Sequence, residues 1–255
     1  MTTPAGERRI PTGTWLRMYL RLFAIQGSWN YETLIGNGIA FAMEPALRLL
    51  PGGRGGKAYT EALARHARYF NAHPYFAGVA VGALARAELD GVPPAMIDRF
   101  RTALGGPLGS VGDRLVWASW LPLCSLVALG AFGLDARPLA VVAIFLVLYN
   151  LGHFSLRVWG LRVGLEKGLR VSDSLGHPLL RQGPQYVGAV AALLAGLSLP
   201  LTAKRVVADG RALTAAVTVV AIVGGILLAR FGDRAEGWRL ALAILALFVV
   251  YSVIR

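Results

Sequence analysis

The stretch PLAVVAIFLVLYNLGHFSL, residues 138–156, decides the fold, because it runs for nineteen residues without an Asp, Glu, Lys or Arg. A helix needs about 20 apolar residues to cross about 30 Å of hydrocarbon. Lipid offers no partner for backbone N–H and C=O groups, so such a stretch must close its own hydrogen bonds as a helix. Four more uncharged stretches lie around it, at residues 115–134, 182–203, 212–229 and 240–254. The last is short unless Gly237 and Trp238 join it and Arg239 snorkels to the interface. Across all 255 residues, 55% are hydrophobic and only 16% charged. Soluble domains carry about a quarter charged residues, so this deficit fits a chain solvated partly by lipid.

The net charge of +12 does not point to nucleic acid, because the arginines sit at the ends of apolar runs and not on one polar face. Anionic headgroups and the cytoplasmic bias of Lys and Arg account for them. The N-terminal third carries Arg8, Arg9, Arg17, Arg21, Arg48, Arg54, Lys57, Arg65 and Arg68, and residues 162–181 add Arg162, Lys167, Arg170 and Arg181. Placing both in the cytoplasm leaves Arg137 in one outer loop and Lys204, Arg205 and Arg211 in another. The expected orientation is N-terminus in and C-terminus out. Residues 15–25 are interrupted by Arg17 and Arg21, too charged for the apolar core of a signal peptide. The single cysteine, Cys124, allows no intrachain disulfide and reads as a small buried apolar residue.

The first third differs from the rest. Trp15, Leu16, Met18, Tyr19, Leu22 and Phe23 alternate with arginines at a spacing that suits an amphipathic helix in the interface. Tyr59, Leu63, Tyr69 and Phe70 around Arg65 and Arg68 read similarly, and the glycine-rich residues 50–56 between the two segments read as a turn. Residues 76–87 are apolar and small but too short to span, which suits a re-entrant helix packed against protein. Gly160, Gly164 and Gly168 fall on one helix face and permit close helix approach, or reflect general glycine richness. The expected fold is an all-α integral membrane protein. Residues 1–113 form cytoplasmic or interfacial amphipathic and re-entrant helices, and residues 114–255 form a region of about five transmembrane helices.

Enzyme signatures are absent. His66, His73, His153 and His177 lack metal-ligand spacing, and no phosphate loop, serine elbow or dinucleotide fingerprint occurs. No metal or cofactor is expected. Three polar clusters interrupt apolar sequence. Gln26-Gly27-Ser28-Trp29-Asn30-Tyr31-Glu32 sets amides and a carboxylate beside aromatic rings, the mixture that sugar recognition uses. Ser28 or Asn30 could equally cap the helix that follows. In Phe70-Asn71-Ala72-His73-Pro74-Tyr75, Pro74 fits a helix start, while Asn71 or His73 caps it or faces a cavity. Gly105-Gly106-Pro107-Leu108-Gly109-Ser110-Val111-Gly112-Asp113 reads as non-helical backbone lining a cavity, or as an ordinary interfacial loop. Asp113 would need a partner there, with Arg114 or Arg157 as candidates.

At these clusters the sequence closely resembles the IID subunit of the mannose/fructose/sorbose phosphotransferase system (PTS) family. Gln26–Glu32, Phe70–Tyr75 and Gly106–Asp113 match three family motifs in their order and at similar separations, and Tyr149-Asn150 with Arg157 looks like the family's asparagine–arginine pair. The resemblance implies a non-catalytic membrane subunit of the bacterial inner membrane. It would assemble in several copies with a IIC membrane subunit to form a path for a hexose such as mannose. Phosphoryl transfer would belong to the cytoplasmic IIA and IIB subunits. Ser28, Trp29, Asn30, Glu32, Asn71, His73 and Asp113 are then the candidate substrate-binding residues, with Asn30 and Glu32 bonding hydroxyls and Trp29 packing on the ring or bracing the loop. Several positions depart from the family pattern: His73 stands where glutamine is common, and Glu44 where an apolar residue is usual. These departures motivate an alternative, a diverged regulatory or assembly subunit that transports nothing. His73 would also introduce a pH-sensitive contact.

Overall fold

The computed structural model describes residues 10–206, in which all regular structure is helical. The expected spans at residues 212–229 and 240–254 lie outside the described residues. Pro11 opens α1 (Thr12–Arg21), whose first turn closes on the Pro11 carbonyl. A single 3-10 turn, Leu22–Ala24, follows. Then come α2 (Gly36–Leu47), α3 (Lys57–Ala67) and α4 (Ala77–Leu89). α5 (Pro94–Gly112) runs without a break through a wider π-helical segment, Asp113–Trp120, into α6 (Leu121–Gly133). α7 (Pro138–Lys167) is the longest element at 30 residues, and the short α8 (Ser172–Leu175) leads into α9 (Pro178–Val206).

Three of these rods are long and apolar enough to cross a membrane: Pro94–Gly133, Pro138–Arg170 and Ser172–Arg205. They contain the apolar stretches at 138–156 and 182–203 whole and that at 115–134 all but its last residue. The first rod has 40 residues. At 1.5 Å per residue it measures about 60 Å, twice the hydrocarbon thickness. The rod is therefore longer than a single crossing needs, and its α5 half packs against α4.

α4 is apolar and small over residues 77–85, its only charges are Arg86 and Glu88 near its end, and 11 of its 13 residues are buried. A helix of that composition is stable only when protein surrounds it. Its main neighbour is α7. Gly82 of α4 and Gly164 of α7 meet at the crossing; a Cβ on Gly164 would lie 2.4 Å from the Val79 carbonyl oxygen, and one on Gly82 2.6 Å from that of Leu161. The expected glycine row thus brings two backbones into direct contact, with Gly160 against Val79 as the next step. Gly168 does a different job, ending α7 with φ +53°.

Because α4 packs on the Gly160–Gly168 end of α7, the first four helices and the 168–177 connection lie on one side of the apolar spans. Asp135 and Arg137 mark the opposite side, in the turn between α6 and α7. One hydrophobic core runs from Met18 through Phe76 and Leu108 to Leu161 and Leu175. Buried ion pairs join the small helices. Glu88 of α4 meets Arg65 and His66 of α3 at 3.0 and 2.8 Å. Glu44 of α2, the unusual carboxylate, is 6% exposed and receives Arg21, Arg48 and the Tyr59 hydroxyl.

Candidate functional site

The first polar cluster forms a tight turn organised by Asn30. Its Oδ1 accepts from the backbone N–H groups of Glu32 and Thr33 at 3.0 and 2.9 Å. Its Nδ2 donates to the Ser28 carbonyl at 3.1 Å and to Thr33 Oγ1 at 2.9 Å. Asn30 therefore caps a loop, not the following helix, which begins at Gly36. The turn closes through Leu34, which donates to the Asn30 carbonyl at 2.8 Å. Leu34 holds φ +48°, a conformation that costs a branched side chain free energy. The loop thereby presents Trp29 and Tyr31 outward, their rings 4.9 Å apart and edge-to-face, with Glu32 exposed beside them.

Backbone pairing ties this loop to the second cluster. Phe70 donates to the Thr33 carbonyl at 3.1 Å, and Ile35 donates to the Phe70 carbonyl at 3.2 Å. Asn71 follows in an exposed extended segment, and His73 is buried. The His73 ring packs against Tyr75, Phe76 and Trp117, and its Nδ1 accepts from the Tyr75 N–H at 3.2 Å. The proton consequently sits on Nε2, which is buried without a hydrogen-bond partner. Burial pushes its pKa down to about 4, outweighing the nearby negative charge of Asp113. His73 is thus neutral throughout the physiological range and is not the pH-sensitive contact that its position in the sequence suggested.

The third cluster packs directly on the second. Residues 105–112 are helical, as the end of α5, and not the irregular backbone or loop expected from their glycines. Those glycines serve approach: a Cβ on Gly105 would lie 2.8 Å from the Asn71 carbonyl oxygen, and one on Gly112 2.2 Å from His73 Cβ. Asp113 is exposed, and no ion pair forms with it among the described residues. Arg114 donates instead to the Ser110 carbonyl at 3.2 Å. Arg157 donates to the Leu22 carbonyl and, at 2.7 Å, to His153 Nε2.

The second cluster therefore touches both others, by backbone pairing to the turn after the first and by packing on the third. Between the second and third lies an open groove of about 500 Å³, with Asn71, Tyr69, Thr102, Ser110 and Asp113 in its walls. Arg101, buried against the Phe70 ring and bonded to the Arg68 carbonyl, forms its floor. Of the residues expected at a binding site, the structure gathers Asn71 and Asp113 in the groove, sets His73 behind it, and holds Ser28, Trp29, Asn30 and Glu32 on the adjoining loop. Sequence reading passed over Tyr31, Tyr69, Arg101 and Thr102 as site residues. Tyr31 sits inside the first motif and could have been included; Arg101 gave no signal within a basic amphipathic helix.

Behind this region a polar chain crosses to α7. The Tyr75 and Tyr149 hydroxyls are 2.7 Å apart, and the His153 ring lies 4.3 Å from that of Tyr75. Arg157 sits over the Phe23 and Tyr75 rings and, through Leu22, holds the 3-10 turn that leads into the Trp29 loop. Among the described residues no group of three His, Cys, Asp or Glu side chains could hold a metal ion.

Residues 9–197 match the family described as PTS system mannose/fructose/sorbose family IID component. The mannose-specific EIID component of the PTS of Escherichia coli (strain K12) is 28% identical over 219 residues, covering 80% of this chain and 76% of that protein. The sorbose-specific EIID component of Klebsiella pneumoniae is 30% identical over 181 residues, 69% of this chain and 65% of that one. Among solved structures, a chain of the mannose transporter ManYZ in complex with microcin E492 superposes with a TM-score of 0.58 at 26% identity, covering 74% of this chain and 70% of that one.

Proposed function

Since the chain belongs to the mannose/fructose/sorbose family of PTS IID components, membrane components of a sugar transporter, we propose that it builds, with a IIC membrane subunit, the path for a hexose such as mannose. The observation that carries this reading is that the three motifs are joined: the turn after Trp29 pairs with Phe70, and the end of α5 packs on Asn71 and His73. Trp29 and Tyr31 offer ring faces for the apolar side of a sugar, and Glu32, Asn71 and Asp113 offer acceptors for its hydroxyls. Asn30 and His73 hold that surface in shape. Ser28 contributes its carbonyl to the Asn30 turn.

The groove is open on its outer side, as a half-site completed by IIC would be. The chain itself performs no chemistry in this reading: IIB, recharged by IIA, phosphorylates the sugar from the cytoplasm. Phosphorylation adds about two negative charges. A surface of acceptors and carboxylates repels such a product, which favours release inward. The α1–α4 helices and the 168–177 connection, which share one side, lie in the cytoplasm of a bacterial inner membrane by the Lys and Arg bias, and the N-terminus with them. Several copies of the IIC–IID unit form the working complex.

The test is uptake of labelled mannose by cells expressing the chain with IIC, IIA and IIB. Trp29 and Glu32 are exposed, so Trp29→Ala and Glu32→Gln leave the fold intact. Each should lower uptake by at least tenfold, with IIC still co-purifying. Unchanged uptake in both variants sinks the assignment of this surface. Co-purification with no sugar binding in the unaltered complex would favour the regulatory or assembly role.

A further inference from the structure

Three arginines from separate segments converge on one carboxylate. Arg21, at the end of α1, places Nη1 2.8 Å from Glu44 Oε2. Arg48, just past α2, donates through Nε and Nη2 to both oxygens at 2.7 and 2.9 Å. Arg54, in the glycine-rich turn before α3, has Nε 3.7 Å from Oε1. The Tyr59 hydroxyl takes another position on Oε1 at 2.9 Å. Desolvation of Glu44 opposes its charge, but the hydrogen bonds from Arg48, Tyr59 and Arg21 outweigh it and hold the pKa at about 2.

One negative charge thus organises three positive ones, and two positive charges are left over. The guanidiniums open stepwise toward solvent, with side-chain exposures of 25%, 36% and 73% for Arg21, Arg48 and Arg54. The Glu44 oxygens are taken up by Arg21, Arg48 and Tyr59, so Arg54, held only by its charge, keeps N–H groups available for a second anion. Arginine forks of this kind suit the oxygens of a phosphate.

The surroundings indicate which phosphate. Leu16 and Leu20, one turn apart on α1, are 48% and 57% exposed, and Phe41, under the Arg21 guanidinium at 4.4 Å, is 45% exposed. Inorganic phosphate would leave these exposed apolar side chains unused, whereas a membrane lipid covers them, because its acyl chains begin just below the headgroup.

We propose that Arg21, Arg48 and Arg54, organised by Glu44, bind the phosphate of an anionic phospholipid, with Leu16, Leu20 and Phe41 against its acyl chains. The site clamps α1 and the start of the Trp29 loop to the membrane surface. It does not depend on the chain carrying sugar.

The experiment is native mass spectrometry of the full chain in neutral detergent, titrated with phosphatidylglycerol or phosphatidylcholine. Comparison is with Arg54→Gln, whose exposed side chain the fold does not need, and with Lys57→Gln, a nearby cation at 90% exposure. The expected result is retention of phosphatidylglycerol over phosphatidylcholine, weakened at least tenfold in Arg54→Gln and within twofold of wild type in Lys57→Gln. Equal weakening in both variants would mean diffuse surface charge and overturn the proposal. So would full displacement of the lipid by millimolar inorganic phosphate, which would make the site one for a soluble anion.

Discussion

Replacing Gly164 by alanine should push α4 off α7. The new Cβ would stand 2.4 Å from the Val79 carbonyl oxygen, 2.8 Å from the Ala83 nitrogen and 2.9 Å from the Gly82 Cα. All three are backbone atoms, so no side-chain rotation relieves the clash. Carbon–oxygen contacts settle near 3.3 Å, so the helices must part by about 1 Å. A gap of that size forfeits a quarter to a half of each dispersion contact along the seam. Overpacking of this sort costs about 1–3 kcal/mol. Alanine returns roughly 1 kcal/mol of helix propensity. The net loss relative to wild type is then up to about 2 kcal/mol, or a fall of up to roughly 8 °C in Tm for a chain of this size. Gly106→Ala is the matched control, since its Cβ meets nothing within 4 Å and the residue is exposed. Thermal unfolding in detergent, followed by tryptophan emission, should show Gly106→Ala at or above wild type and Gly164→Ala below it. If Gly164→Ala melts as high as Gly106→Ala, the backbone-contact account of this crossing is wrong.

Other outcomes follow from the same geometry. His73 titrates at about 4 when folded and near its ordinary 6.5 when unfolded, so the unfolded chain takes up the proton first. Its contribution, about 3 kcal/mol, is intact above pH 6.5 and lost progressively as pH falls toward 4. Chemical unfolding across that range should show the loss, and His73→Gln should flatten it. Asn30→Ala removes four hydrogen bonds from the Trp29 loop, and proteolysis within residues 26–33 should accelerate at least several-fold. Asn30→Asp keeps the acceptor for Glu32 and Thr33 but loses both amide donors and sets a carboxylate oxygen against the Ser28 carbonyl, so it should fall between wild type and Asn30→Ala. Arg157→Lys should not replace arginine, because one ammonium lacks the fork that reaches both Leu22 and His153. Protease access to the 22–25 segment should rise as much as in Arg157→Met.

The spans were legible because lipid imposes a simple length and polarity rule, and residues 138–156 obey it without interruption. The buried α4 was legible for a related reason, since a run of small apolar residues too short to span demands a protein environment. The end of α5 was not. Glycines at 105, 106, 109 and 112 suggested irregular backbone, yet two of them are glycine because Asn71 and His73 approach too closely for a Cβ. Local sequence does not distinguish a glycine needed for conformation from one needed for contact. Asn30 was read both as a hydroxyl ligand and as a helix cap, and the structure gives its amide a third use, inside its own turn. Phe70, which pairs with Thr33 and Ile35 at the end of that turn, lies more than thirty residues away, beyond the reach of any local pattern.

The π-helical segment between α5 and α6 acts as a phase shifter in an otherwise continuous screw. Before it, the buried positions Ile97, Arg101, Leu104, Leu108 and Gly112 keep helical time at intervals of three or four. Within and after it, burial passes from Ser119 to Cys124, an interval of five, and then to Ala128. Ser119 spans the widened turn, donating to the Arg114 carbonyl and to Pro184 of α9. One surplus residue rotates everything downstream by about 100°. The half of the rod that faces the small helices and the half that faces α9 are thereby aimed independently. Deleting a single residue from 113–120 would restore even winding and turn one half to the wrong side, whereas most point substitutions there would leave the aim unchanged. Insertions and deletions, more than substitutions, are what this stretch of the chain should fail to tolerate.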